Sequence, residues 1–428
     1  KTFQLVRNIV KSLGQLLLNR NQRPSGTLMA RMAHDQYIGL KSEVYERGIT
    51  QFEGNMRDIL EMAAKHSVPV ILGTLACNLR DQFPFVSMNS AGYPRADSVF
   101  KEARMRLQHN KWMEADSLFR FAKDLDALRF RAPTQINNEI MKLGNEFGCP
   151  VVNVDSAFDA ASPSHVVGDD LMTDHLHPTL RGYHLIGSLF YGTMKQFGRL
   201  PSTKALPLSD PQQDSVTIAA FPFAALDSVI GRYRIQLLKN DWPYISKANK
   251  IPDEKLLQPR NRIDSIAYEL VEDRTNWDIA QRKAAEWFAS RNDMDSFART
   301  MNVLINQYPI VMDYYDYAST VLLEKKDYNR ALSFLTRRND FEPCAYSTKW
   351  LGTLSLFRNQ LEAGEKYLKE SLTFNNKDPQ VWYNLAGVYV QSREYQRALQ
   401  TVDQALALNP RYPDALALRE RLKQATKQ

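Results

Sequence analysis

Cysteine is scarce in this sequence. There are three in 428 residues, Cys77, Cys149 and Cys344, far apart and odd in number. They supply neither a disulfide framework nor metal-ligand spacing, so buried free thiols are expected. No apolar run reaches the roughly 18 residues of a membrane-spanning helix, and no signal peptide is visible. No five like charges stand in a row and the net charge is only +7. That argues against the concentrated basic face of a nucleic-acid binder. Neither Gly-Asp-Ser nor a Gly-x-Ser-x-Gly turn occurs, so the sequence holds no serine-nucleophile elbow. The first residues, Lys1-Thr2-Phe3, read as mid-helix without an initiator methionine, and a fragment or processed product is expected.

What is present is half of a catalytic machine. Asp174-His175-Leu176-His177-Pro178 is followed by Gly182-Tyr183. An aspartate and a histidine at i, i+3 on a tight loop can hydrogen-bond to each other. The carboxylate then fixes the imidazole tautomer and stabilises the imidazolium formed when histidine takes a hydroxyl proton. Asp174 and His177 are therefore candidate acid and base, with a capped surface loop as the plainer alternative. His175, His177 and His184 lack a carboxylate or thiolate set at ligand spacing. No metal and no cofactor are expected, and His175 is expected to face solvent.

The apolar run Val68–Leu75 shows no alternation, as in a strand buried on both faces of a parallel sheet. Pro150–Val154 reads as a second strand, and helices are expected over 48–66, 97–145 (broken near Asn110) and 183–197. Two buried strands need neighbours to satisfy their outer backbone groups. A larger sheet is expected, completed by a preceding segment or by another chain. Asn78 and Arg80 lie at the carboxyl end of the first strand, where α/β sheets place ligands. They are candidate cleft residues, with an Asx-turn and an Arg80–Asp81 pair as the alternative. Arg129 and Arg131 could hold an anionic substrate group, while Asp126 and Arg129 could simply pair on a helix surface.

Residues 198–277 read as a mostly helical connector. From 278 the chain repeats every 33–34 residues. The clearest copy, 379–410, carries Trp382, Leu385, Ala386, Tyr389, Tyr395, Ala398, Val402, Ala405 and Pro410. Those positions match the tetratricopeptide pattern, in which small residues let two antiparallel helices approach and a proline ends the second. Weaker copies occupy 278–309, 312–343 and 345–376, and 413–428 reads as a capping helix.

With these residues in view, the chain resembles a bacterial family that joins an SGNH/GDSL-type hydrolase to C-terminal tetratricopeptide repeats. The likeness takes in Gln51-Phe52-Glu53, Leu75–Phe85, Lys123–Pro133, Asp174–Tyr183 and Asp241-Trp242-Pro243. It implies that 1–197 is the C-terminal part of a three-layer α/β/α parallel sheet, with 278–428 an all-α solenoid. It also implies that Asp174 and His177 are the triad acid and base. The serine, glycine and asparagine of such enzymes fall on blocks expected before Lys1. The implied activity is serine ester hydrolysis or acyl transfer on an acylated carbohydrate or lipid, in the cell envelope, periplasmic or membrane-anchored. The alternative is a non-catalytic adaptor whose repeats bind a protein partner.

Overall fold

The computed structural model describes residues 37–89, 92–200 and 208–425. The helix read at Lys1-Thr2-Phe3 lies outside the described residues. Within them the chain is mostly helical, and its strands are two segments of two residues each. The described residues divide into two compact units, one running up to Ala220 and including Ile235–Leu256, the other Phe221–Arg234 with the residues from Leu257 on.

In the first unit α1 (Glu43–Lys65) leads to β1 (Leu72–Gly73), followed by α2 (Ala96–Gln108), α3 (Trp112–Leu125) and α4 (Thr134–Glu146). Then come β2 (Val151–Val152), α5 (Val154–Ala161), α6 (Leu180–Gln196) and α7 (Asp210–Ala220). The two strands pair in parallel, Leu72 opposite Val151 and Gly73 opposite Val152. Successive strand side chains point to opposite faces, and each face is covered. Leu72 packs with Leu60 of α1 and with Ile140 and Leu143 of α4. Val152 packs with Phe158 of α5 and with Leu185 and Phe190 of α6. At Gly73 a Cβ would stand 2.8 Å from the Phe190 ring, so a larger residue would need that ring to shift.

The larger parallel sheet expected from sequence is not among the described residues. The ladder covers only two residues of each apolar run, and two residues past β1 a side chain takes up the backbone. Asn137 of α4 accepts the Leu75 N–H at 2.8 Å and donates to the Leu75 carbonyl at 2.9 Å, standing in for a neighbouring strand. The helical pair expected over 97–145 is three helices, because Asp126 stops α3 and Pro133 precedes α4.

The second unit shares α8 (Ala225–Lys239) with the first, and α9 (Asp253–Leu256) belongs to the first. It continues through α10 (Arg262–Val271) into four helical hairpins. These are α11/α12 (Trp277–Ser290, Met294–Gln307), α13/α14 (Met312–Glu324, Tyr328–Phe341), α15/α16 (Ala345–Phe357, Leu361–Phe374) and α17/α18 (Pro379–Gln391, Tyr395–Leu408). α19 (Pro413–Ala425) closes the series. Each hairpin turns on one residue with positive φ, at Asn292, Lys326, Asn359 and Arg393. The periodicity seen in sequence thus recurs in the backbone. Ala318, Ala386, Ala398 and Ala405 are fully buried, and larger side chains there would hold the helices apart.

Candidate functional site

The loop 173–179 is bound to itself at both ends. Met172 and Pro178 form an antiparallel bridge, and Thr173 N–H donates to the His177 carbonyl at 2.8 Å. The Thr173 hydroxyl donates to the carbonyls of His177 and Pro178 at 3.1 and 3.0 Å. Thr179 then caps α6, its side chain accepting from Gly182 N–H. Gly182 is the residue that lets the loop lie on the helix. A Cβ there would come within 2.6 Å of the Leu171 carbonyl and 2.9 Å of Pro178.

Inside this loop Asp174 is 1% exposed while the His177 side chain is 59% exposed. Asp174 Oδ2 meets His177 Nδ1 at 2.7 Å. Oδ1 accepts the backbone N–H groups of Leu176 and His177 at 2.9 and 2.8 Å. Burial pushes the Asp174 carboxyl up, but the two backbone donors and the imidazole outweigh it and hold the group below its ordinary value. The anion is therefore the stable form, and its bond to Nδ1 places the His177 proton there. Nε2 is left as the basic nitrogen. Among the described residues it has no hydrogen-bond partner, and the side chain is exposed.

The other sequence candidates are each bonded within the fold. Asn78 is buried, donates to Asp169 at 2.8 Å and accepts from Asp81 N–H at 3.0 Å. This is the Asx-turn alternative, and Asn78 N–H also ties the segment to the His175 carbonyl at 3.1 Å. Arg80 is held by Asp81 and Asp170 at 2.9 and 2.7 Å and by the carbonyls of Pro163 and Val166. Arg129 donates to the carbonyls of Ile38 and Asp124 and not to Asp126. Asp126 instead pairs with buried Arg131 at 3.2 Å, and Arg131 also donates to the carbonyls of Asn78 and Gln82. The expected surface pair of Asp126 and Arg129 is corrected accordingly: both partners of the real pair are in the interior, where an unpaired charge is costly.

His175 is also corrected. It is 2% exposed, ringed by Phe85, Phe130 and Tyr244 at centroid distances of 5.5, 5.9 and 6.1 Å. Burial pushes its pKa down to about 4. Tyr244 and Trp242, which packs edge-on against Phe130 at 6.3 Å, were missed as neighbours of the site. The Asp241-Trp242-Pro243 triplet was their one signal in sequence. A cavity of about 210 Å³ lies at the opposite, amino ends of the strands, lined by Leu60, Val68, Val70, Phe147, Cys149 and Phe197 among others. It is remote from the Asp174–His177 pair. The described residues hold no cluster of metal-ligating side chains.

In the second unit, polar bonds link the first helices of successive hairpins. Tyr346 of α15 bonds to Thr320 of α13 at 2.8 Å, and Asn384 of α17 donates to Thr353 of α15 at 2.8 Å. Residues 358–422 match the family model of the tetratricopeptide repeat. The chain contains tetratricopeptide repeats. The match covers the α16–α19 part of the series. Several solved structures are similar. One is YrrB, "a TPR protein with an unusual peptide-binding site" (15% identity, 38% of this chain and 84% of that one, TM-score 0.33). Another is MamA from Desulfovibrio magneticus RS-1 (14% identity, 36% and 95%, TM-score 0.30). A third is PilF of Pseudomonas aeruginosa (17% identity, 47% and 85%, TM-score 0.29). No curated protein matches the sequence. In the last hairpin Leu385, Ala386, Tyr389, Ala398 and Val402 are buried together in one apolar cluster.

Proposed function

We propose that the tetratricopeptide repeats dock a protein partner, the adaptor reading of this chain. The family-model match to residues 358–422 carries it. The first helices of the hairpins offer a surface of half-buried polar and aromatic groups: Tyr346, Trp350, Gln380 and Tyr383. Trp350 stands one helical turn from both Tyr346 and Thr353, on the face those two share. Such a surface suits an extended or helical peptide, with aromatic anchors and adaptable hydrogen bonds. Selection of a displayed peptide library on the full chain tests this. Enrichment of one sequence class with saturable binding supports docking, and absence of any saturable binder retires it.

A second reading is favoured by a specific observation, the 2.7 Å contact between Asp174 and His177 within a carboxylate-stabilising loop. In this reading His177 is the general base and Asp174 its orienter in an SGNH-type ester hydrolase or acyl transferase. A serine outside the described residues serves as nucleophile, and an acylated carbohydrate or lipid is the substrate. His177 Nε2 takes the serine proton as oxygen attacks the acyl carbon, then returns it to the leaving alkoxide. Placement in the cell envelope belongs to the same reading. The test is turnover of p-nitrophenyl acetate by the intact protein. His177→Ala is expected to lower it by a factor on the order of 10⁴, and unchanged turnover discards the assignment.

A further inference from the structure

We infer that Tyr244 is a positioning residue, whose hydroxyl sets the tautomer of His175 and so reserves the Asp174 carboxylate for His177. The inference rests on the reading of Asp174 and His177 as an acid–base pair. Two imidazoles reach for one carboxylate. His177 Nδ1 is 2.7 Å from Asp174 Oδ2, and His175 Nδ1 is 3.5 Å from Asp174 Oδ1. A proton on His175 Nδ1 would make it a third donor to Oδ1, which already accepts two backbone N–H groups. It would draw negative charge away from His177 and weaken the base.

Tyr244 prevents this. Its hydroxyl lies 2.8 Å from His175 Nδ1, well inside hydrogen-bond range, whereas 3.5 Å to the carboxylate is outside it. Among the described residues His175 Nδ1 is the side-chain group bonded to that hydroxyl, and a bare Nδ1 supplies the acceptor that the phenol proton needs. The phenol therefore donates, Nδ1 stays bare, and the His175 proton sits on Nε2. The neutral state this needs is maintained by burial among Phe85 and Phe130, with Arg131 opposing a positive charge.

The tyrosine is itself held rigidly. Its ring meets Phe85 edge-on at 5.2 Å. Its N–H donates to the Asp241 carbonyl at 3.0 Å, and Asp241 is tied to Lys250 at 2.9 Å. Residues 241–250 thus form a strap whose Tyr244, 69 residues along from His175, bears on the loop from outside it. The link runs from strap hydroxyl to buried imidazole to shared carboxylate to exposed base.

The experiment is a long-range ¹H–¹⁵N correlation spectrum of the full chain with ¹⁵N-labelled histidine at mildly alkaline pH. His175→Gln and His177→Gln spectra assign the two rings. In the wild type, His175 is expected as the Nε2–H tautomer and His177 as the Nδ1–H tautomer. In Tyr244→Phe, which keeps the ring packing, His175 is expected to move toward Nδ1–H and the His177 Nδ1 proton to shift upfield. A wild-type His175 protonated on Nδ1 overturns the inference, as does an unmoved tautomer in a Tyr244→Phe protein with wild-type melting. Should that variant not fold, fluorotyrosine at position 244 strengthens the donor without removing it. The His175 Nδ1 resonance must then shift, and no shift overturns the inference. A His177 without a protonated Nδ1 would instead sink the acid–base reading itself.

Discussion

At the scale of single residues, interior charges are tied to backbone groups distant in sequence. Asp126 accepts N–H groups from Phe85, Val86 and Leu128 and meets Arg131, and both side chains are almost fully buried. Asp126→Ala leaves the guanidinium unpaired, and a loss of about 3–5 kcal/mol is expected by urea denaturation. An unchanged midpoint would contradict the pairing. His175 gives a pH dependence of known sign. Its pKa is pushed down to about 4 in the fold, below an unfolded value of about 6.5. Between those values the unfolded chain binds more protons, so His175 adds stability above about pH 6.5 that is lost as pH falls toward 4. NMR titration is expected to show His175 neutral down to about pH 4, and a midpoint near 6.5 would refute its burial. Asp174 and His177 were legible in sequence because their partnership is local, at i, i+3. The roles of Arg129, Arg131 and His175 were not. Their partners include Ile38, Asn78 and Tyr244, 91, 53 and 69 positions away respectively, and no local pattern encodes such distances.

At the scale of elements, helices were readable from apolar periodicity, but their starts less so: the helix expected from 48 begins at Glu43, behind the Ser42 cap. Glu43–Lys65 and Leu180–Gln196 overlap the stretches 48–66 and 183–197 where that pattern ran. Strands were less so, since an apolar run becomes a ladder only where a neighbour offers its backbone. Asn137 fills that place at Leu75, and the run from Val68 contributes two ladder residues. The loop and α6 act as one piece through Gly182. Gly182→Ala would drive a methyl into the Leu171 carbonyl. It is expected to cost about 1–3 kcal/mol and to weaken protection of the Thr179 and His177 amides in hydrogen exchange. Unaltered protection would show that the contact does not hold the loop.

At the scale of the whole molecule, two compact units each carry one kind of surface. One unit presents an exposed imidazole backed by a buried carboxylate. The other is a run of tetratricopeptide hairpins. The repeats were the most legible part of the chain, because each copy restates the same small and aromatic positions and errors in one copy are corrected by the next. The central claim, that the repeats dock a partner, is tested most directly by the affinity of the full chain for a library-selected peptide, before and after Trp350→Ala. At least tenfold weaker binding with an unchanged melting curve is expected. Equal affinity for both proteins would place docking elsewhere than on the linked first helices and contradict the claim.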